Sequence, residues 1–210
     1  MLLYRYLLII RFALINIVAV GLLAGAYLQG WLDVALSAYL VELSAVNYLV
    51  FLFGLVLCGA KVWRYSVELN NIQAATPDPQ SRAGRYLSRT GDVSPESRYI
   101  QAEVLRLKLT DHIVVVRNVA NSLVLLGLIG TVIGFIIALS GVDPEAASQV
   151  ENVATMVSTL INGMSVALNK TLVGALLYVW LIVNYGILTS GTVDLIAAII
   201  DMGEARAAGT

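Results

Sequence analysis

Long apolar runs separated by short polar stretches dominate the chain. Phe12 to Leu32 carries no charge and follows a basic, aromatic start in which Arg5 and Arg11 stand among apolar neighbours. Leu43 to Ala60 is the second run, and Lys61 and Arg64 mark its end. No residue between Arg117 and Asp143 is charged, and Ser165 to Val193 forms the fourth run, interrupted near its start by Lys170. A hydrocarbon core is crossed by about 20 apolar residues rising ~1.5 Å each, so each run predicts a spanning helix. Trp31 and Tyr39 before the second run, and Trp63 and Tyr65 after it, suit the interfacial depths where amphipathic rings settle. The first two spans form a hairpin. Ala24-Gly25-Ala26 also fits the small residues of a signal-peptide cleavage site, but the spanning helix is preferred.

The intervening stretches differ in charge. Gly30 to Ser44 holds Asp33 and Glu42 and no basic residue, whereas charges of both signs are frequent from Lys61 to Arg117. Within the latter, TPDPQ (Thr76 to Gln80) and TGDVSPES (Thr90 to Ser97) supply turn residues. VWRYSVELNNIQ extends the second helix beyond the membrane. Ser94-Pro95-Glu96-Ser97 opens a new helix, with proline in its first turn, that runs directly into the third span. Arg82, Arg85 and Arg89 recur at three- and four-residue steps and make one basic face, suited to anionic lipid or to a soluble partner. Val142 to Asn162 contains Asp143, Glu145 and Glu151 without Lys or Arg; too polar to span, it is expected to lie along an interface. From Asp194 the tail alternates LIAAII with Asp194, Asp201 and Glu204, as one short amphipathic helix.

Every basic residue except Lys170 falls within 1–11, 61–117 or 194–210. Positive charge favours the cytoplasmic side, so both termini and the large connection are expected there. The predicted fold is an all-α integral membrane protein with four transmembrane helices and a helical cytoplasmic extension between the second and third spans. It divides into an N-terminal hairpin (1–65), a cytoplasmic helical loop (66–117), a channel-type hairpin with an outer connecting segment (118–193) and a cytoplasmic tail (194–210). Lys170 is expected near the outer end of the last span, its stem snorkelling to the interface.

Composition agrees with the hydropathy pattern: 59% of residues are hydrophobic, and the formal net charge is −1. This is the membrane class, with no electrostatic footprint for nucleic acid. Cys58 is the single cysteine, set in an apolar run, which excludes a disulfide framework and reads as packing. His112 is the single histidine, beside Asp111, and reads as structural or solvated. No metal site or cofactor is expected, and no spaced His, Cys or carboxylate constellation suggests an enzyme.

Chemistry at membrane depth must come from polar residues inside the spans, of which Thr131 and Thr171 are the clearest. At 100° per residue, Gly127, Gly134 and Ala138 fall near the face of Thr131. Gly130 and Gly134 form a GxxxG pair that lets helices approach closely. Gly174, Ala175, Tyr178, Ile182 and Tyr185 share roughly one face with Thr171. A threonine in a membrane helix commonly bonds a carbonyl one turn back, so periodicity alone leaves packing and pathway roles both open. No Asp or Glu lies in any span. An ion pathway normally needs an ionisable group at depth, so this chain cannot complete one alone. Neither an internal repeat nor a proline-broken pair of spans points to a secondary transporter.

LGLIGTVIGFI (Leu126 to Ile136) resembles the GLLGTVxGM signature of the MotA/TolQ/ExbB proton-channel family. NGMSVALNKTLVGALLYVWLIVNY (Asn162 to Tyr185) is similar to that family's GIxxALxxTxxGLxxAIPxxxxxN segment. Gly127, Gly130, Thr131 and Gly134 match the first motif, and Gly163, Ala167, Leu168, Thr171, Gly174 and Asn184 the second. The resemblance runs from about Glu96 to Tyr185. It implies a bacterial inner-membrane subunit that forms a homopentameric ring around single-span partners of the MotB/TolR/ExbD type. The partner supplies the missing Asp, the ring's Thr131 and Thr171, with Tyr178, face the pore, and H⁺ or Na⁺ is the transported ion. Four spans resemble the MotA, or stator, side of the family, although the loop and tail are short for a flagellar stator. Two departures stand out: Tyr178-Val179-Trp180 replaces the AIP segment, and Lys170 places a cation beside the matched threonine. A non-conducting membrane scaffold is the alternative.

Overall fold

A computed structural model describes residues 7–29, 38–73, 81–90, 95–142 and 150–208. Among these residues the fold is all helical: α1 (Leu7–Leu28), α2 (Ala38–Gln73), α3 (Arg82–Thr90), α4 (Pro95–Ser140) and α5 (Val150–Ala208). Helix starts follow local chemistry. Pro95 occupies the first turn of α4, where its missing N–H costs nothing, and Glu96 beside it complements the positive end of the helix dipole. Ser81 caps α3, its hydroxyl accepting the Gly84 amide at 2.9 Å.

Segments of α1, α2, α4 and α5 (Leu7–Leu28, Ala45–Asn70, Glu96–Ser140, Asn152–Ala205) are long and apolar enough to cross a membrane. As the sequence suggests, α2 continues past its apolar run and α4 enters the third span without a break. The end of the chain differs. Instead of an interfacial segment, a span and a separate tail, α5 is one helix of 59 residues. No proline lies between Val150 and Ala208, and Leu195, Ile196 and Ile199 are buried while Asp194, Asp201 and Glu204 face outward. The apolar stripe therefore keeps its phase through the acidic residues. The acidic 30–37 and 143–149 connections and the TPDPQ turn lie outside the described residues.

The chain divides into two compact units. The first comprises Met1–Val18, Leu55–Arg117 and Val183–Thr210. Its core is built from Val62 and Tyr65 of α2, Ala83 and Leu87 of α3, Leu109 and Ile113 of α4, and Leu188 and Ile199 of α5. No described residue of α1 is buried, and this helix is held by specific contacts. The Phe12 ring lies over Gly59, and Leu8 over Gly191. Asn16 donates from Nδ2 to Asn184 Oδ1 at 2.8 Å, and Asn184 returns a longer bond of 3.5 Å. Asn184 is fully buried, and its carbonyl accepts the Cys58 thiol at 3.6 Å. An amide placed in hydrocarbon strongly favours a polar partner, so this pair fixes the register of α1 on α5.

The second unit comprises Ala19–Gly54 and Asn118–Ile182. In it Gly54 of α2 faces Leu181 and Val119, and the Phe51 and Trp180 rings tilt together with centroids 5.0 Å apart. Its centre is the contact between α4 and α5.

Candidate functional site

Small residues let α4 and α5 meet backbone to backbone. The helices run antiparallel, so Gly174 meets Leu123 and Gly127 at one end of the seam, and Gly163 meets Ala138 at the other. A methyl group at Gly174 would sit 2.8 Å from the Leu123 carbonyl oxygen, and one at Gly134 would sit 2.5 Å from the Ala167 amide nitrogen. Backbone atoms cannot step aside as a side-chain tip can, so these positions require glycine at this helix separation. Gly127 is looser, its nearest neighbour being the Lys170 carbonyl oxygen at 3.3 Å from such a methyl.

The two threonines flank this seam. Thr131 is half-buried, and its hydroxyl donates to the Leu128 carbonyl within α4. Thr171 is exposed, and Tyr178 is half-buried. Thr131 follows Gly130 by one residue and Thr171 follows Lys170 by one, so each is turned about 100° from a residue held in the seam. Because the helices are antiparallel, the same sense of turn carries both threonines to the same flank. Tyr178, about two turns along α5 from Thr171, falls on that flank as well.

Lys170 is not where the sequence suggests. It is 3% exposed rather than at an outer interface, and its stem lies over Gly130, where a methyl group would be 2.6 Å from Lys170 Cβ and 2.8 Å from Cγ. Gly130 is thirteen residues from both Arg117 and Asp143, about 20 Å along the helix in either direction. A lysine spans roughly 6 Å from Cα to Nζ at ordinary bond lengths, too short to reach either end. The physical reason is the vacancy opposite: the missing side chain of Gly130 accommodates the lysine stem inside the seam. That stem crosses α4 about 100° round from Thr131, away from the threonine flank.

A domain-scale comparison agrees with this geometry. Residues 90–200, more than half of the chain, match the model of the MotA/TolQ/ExbB proton channel family. The chain belongs to the MotA/TolQ/ExbB family. The match takes in all of α4 and most of α5, the two helices that build the seam. No curated protein and no solved structure matches the chain. Membership in the MotA/TolQ/ExbB family, with four helices able to cross a membrane, makes this a multi-pass, proton-channel-type membrane subunit of the kind used in motor-like complexes. The family's subunits are channel and motor components, and they work with single-span subunits of the MotB/ExbD/TolR type.

Other residues singled out from sequence are scattered. Arg85 is exposed on α3, and the side chains of Arg82 and Arg89 lie outside the described residues. Cys58 is buried and free, His112 is exposed on α4, and no metal-binding cluster of His, Cys, Asp or Glu occurs among the described residues. No pattern along the sequence marks the Asn16–Asn184 pair or the Lys170–Gly130 contact. Asn184 was matched to the second motif, but no local signal in α1 names Asn16 as its partner 168 positions away.

Proposed function

We propose that the protein is the ring-forming subunit of a proton-driven rotary motor in the bacterial inner membrane, with both termini cytoplasmic. Five copies surround single-span partner helices of the MotB/TolR/ExbD type. Ion flow past Thr131 and Thr171, beside an Asp carried by the partner, turns the ring around those helices. The observation that carries this reading is the common flank of Thr131 and Thr171 on a seam too closely packed to rearrange. It gives a ring of copies a polar flank and leaves the ionisable group to the partner, consistent with apolar runs (12–32, 43–60, 118–142 and 165–193) that contain no Asp or Glu. The position of the Lys170 stem, away from that flank, is compatible with conduction.

The experiment is proton uptake into vesicles carrying the protein with its coexpressed partner, comparing wild type with Thr131→Val and Thr171→Val. Valine conserves shape and removes only the hydroxyl. The expected result is at least a tenfold fall in uptake for either variant with assembly unchanged. Uptake equal to wild type in both variants would overturn the role of the hydroxyls, and no wild-type uptake above that of protein-free vesicles would favour the non-conducting scaffold.

A further inference from the structure

In the first unit, α3 and α4 border an open groove, a cavity of about 290 Å³. Lys108 and His112, one helical turn apart on α4, line one wall, with Gln101 on the same stripe; Arg85 of α3 approaches from the other side. Leu105 and Leu109 provide an apolar floor, and no acidic side chain lines the cavity. Asp111, the acid nearest in sequence, stands one turn from Lys108 on α4 but does not line the cavity.

Arg98 lies 3.8 Å from Glu204 and Arg106 lies 3.9 Å from Glu103. Arg85 and Lys108 pair with no acid among the described residues. Two permanent cations and a histidine, all exposed, therefore border one open groove that no acidic side chain lines. Tyr86 forms a wall shared with a neighbouring cavity of about 270 Å³, also lined by Arg98, whose Nε is buried without an acceptor among the described residues. Burial foremost, with the Glu204 carboxylate adding and Arg98 opposing, raises the Tyr86 phenol, which thus stays a neutral donor.

We propose that this cavity binds a phosphate-bearing anion, with Arg85, Lys108 and His112 on its oxygens and the apolar floor against its uncharged part. A phosphate carries enough charge and enough acceptor oxygens to engage all three groups, and arginine meets it with a forked pair of donors. The cavity is of the size that admits a small molecule or a single headgroup and is too small for a folded peptide. The same chemistry is offered by a soluble phosphate compound and by an anionic phospholipid. The assignment rests on this cavity alone and not on ion conduction.

The test uses the full-length protein in lipid nanodiscs. One arm titrates pyrophosphate calorimetrically into phosphatidylcholine discs; the other measures, by native mass spectrometry, phosphatidylglycerol retained from mixed bilayers. Arg85→Gln and Lys108→Gln are compared with Arg106→Gln, a control on the same helix that does not line the cavity. Binding of pyrophosphate weakened at least tenfold by either cavity variant, and not by the control, would establish a soluble ligand. Retention of phosphatidylglycerol with the same dependence would establish a lipid. Absence of both, or losses equal to those of Arg106→Gln, would overturn the proposal.

Discussion

At the residue scale, the seam between α4 and α5 makes graded predictions from contact distances. A methyl group at Gly134 would meet the Ala167 backbone at 2.5 Å, whereas one at Gly127 meets nothing closer than 3.3 Å. Gly134→Ala is therefore expected to cost about 1–3 kcal/mol, in the range of an overpacked core, and Gly127→Ala less than about 1 kcal/mol. The shift of the unfolding midpoint in detergent measures both; equal midpoints would show that the helices are farther apart than described. Lys170 provides a second test. Its stem fills the space over Gly130, and methionine has nearly the same length without the charge. Lys170→Ala empties that space and is expected to lower the unfolding midpoint by more than Lys170→Met, which keeps the stem. A large loss of stability in Lys170→Met would mean that the ammonium group itself holds the seam together.

At the element scale, no described residue of α1 is buried, and the Asn16–Asn184 pair holds it together with Phe12 on Gly59 and Leu8 on Gly191. Interhelical hydrogen bonds in membranes are worth about 0.6–1.7 kcal/mol. Asn16→Leu and Asn184→Leu are each expected to weaken α1 docking by about that amount, and the double variant by little more than either single, since both remove the same bond. The readout is disulfide formation between cysteines placed at Phe12 and Gly59 in a Cys58→Ser background. Additive losses would mean that the two amides act separately. Element boundaries illustrate what sequence could and could not convey. The beginning of α4 was legible because Pro95 and Glu96 mark it locally, and the length of α2 because its helical residues continue past Lys61. The continuity of α5 was less legible: Asp194, Asp201 and Glu204 look like the end of a span, and only the burial of Leu195 and Ile199 shows that one stripe persists. The burial of Lys170 is illegible in the sequence for a related reason. The space that receives it is created by Gly130, forty positions earlier, and hydropathy along one helix carries no information about what another helix leaves open.

At the scale of the whole molecule, two conclusions differ in their origin. Family membership follows from residues 90–200, and the motifs that carry it lie within the seam. The ring, its partner and the proton current are proposals built on one geometric fact, the common flank of Thr131 and Thr171. A subunit whose apolar runs contain no carboxylate needs one from elsewhere to move protons, and a ring of copies presenting hydroxyls inward would give a partner helix a place to supply it. Single-particle imaging of the protein in mild detergent, with and without its coexpressed partner, tests this most directly. The account predicts a five-fold ring whose central pore is lined by Thr131 and Thr171 and is filled by partner helices on coexpression. A monomer or dimer, or a ring with both threonines facing lipid, would contradict it.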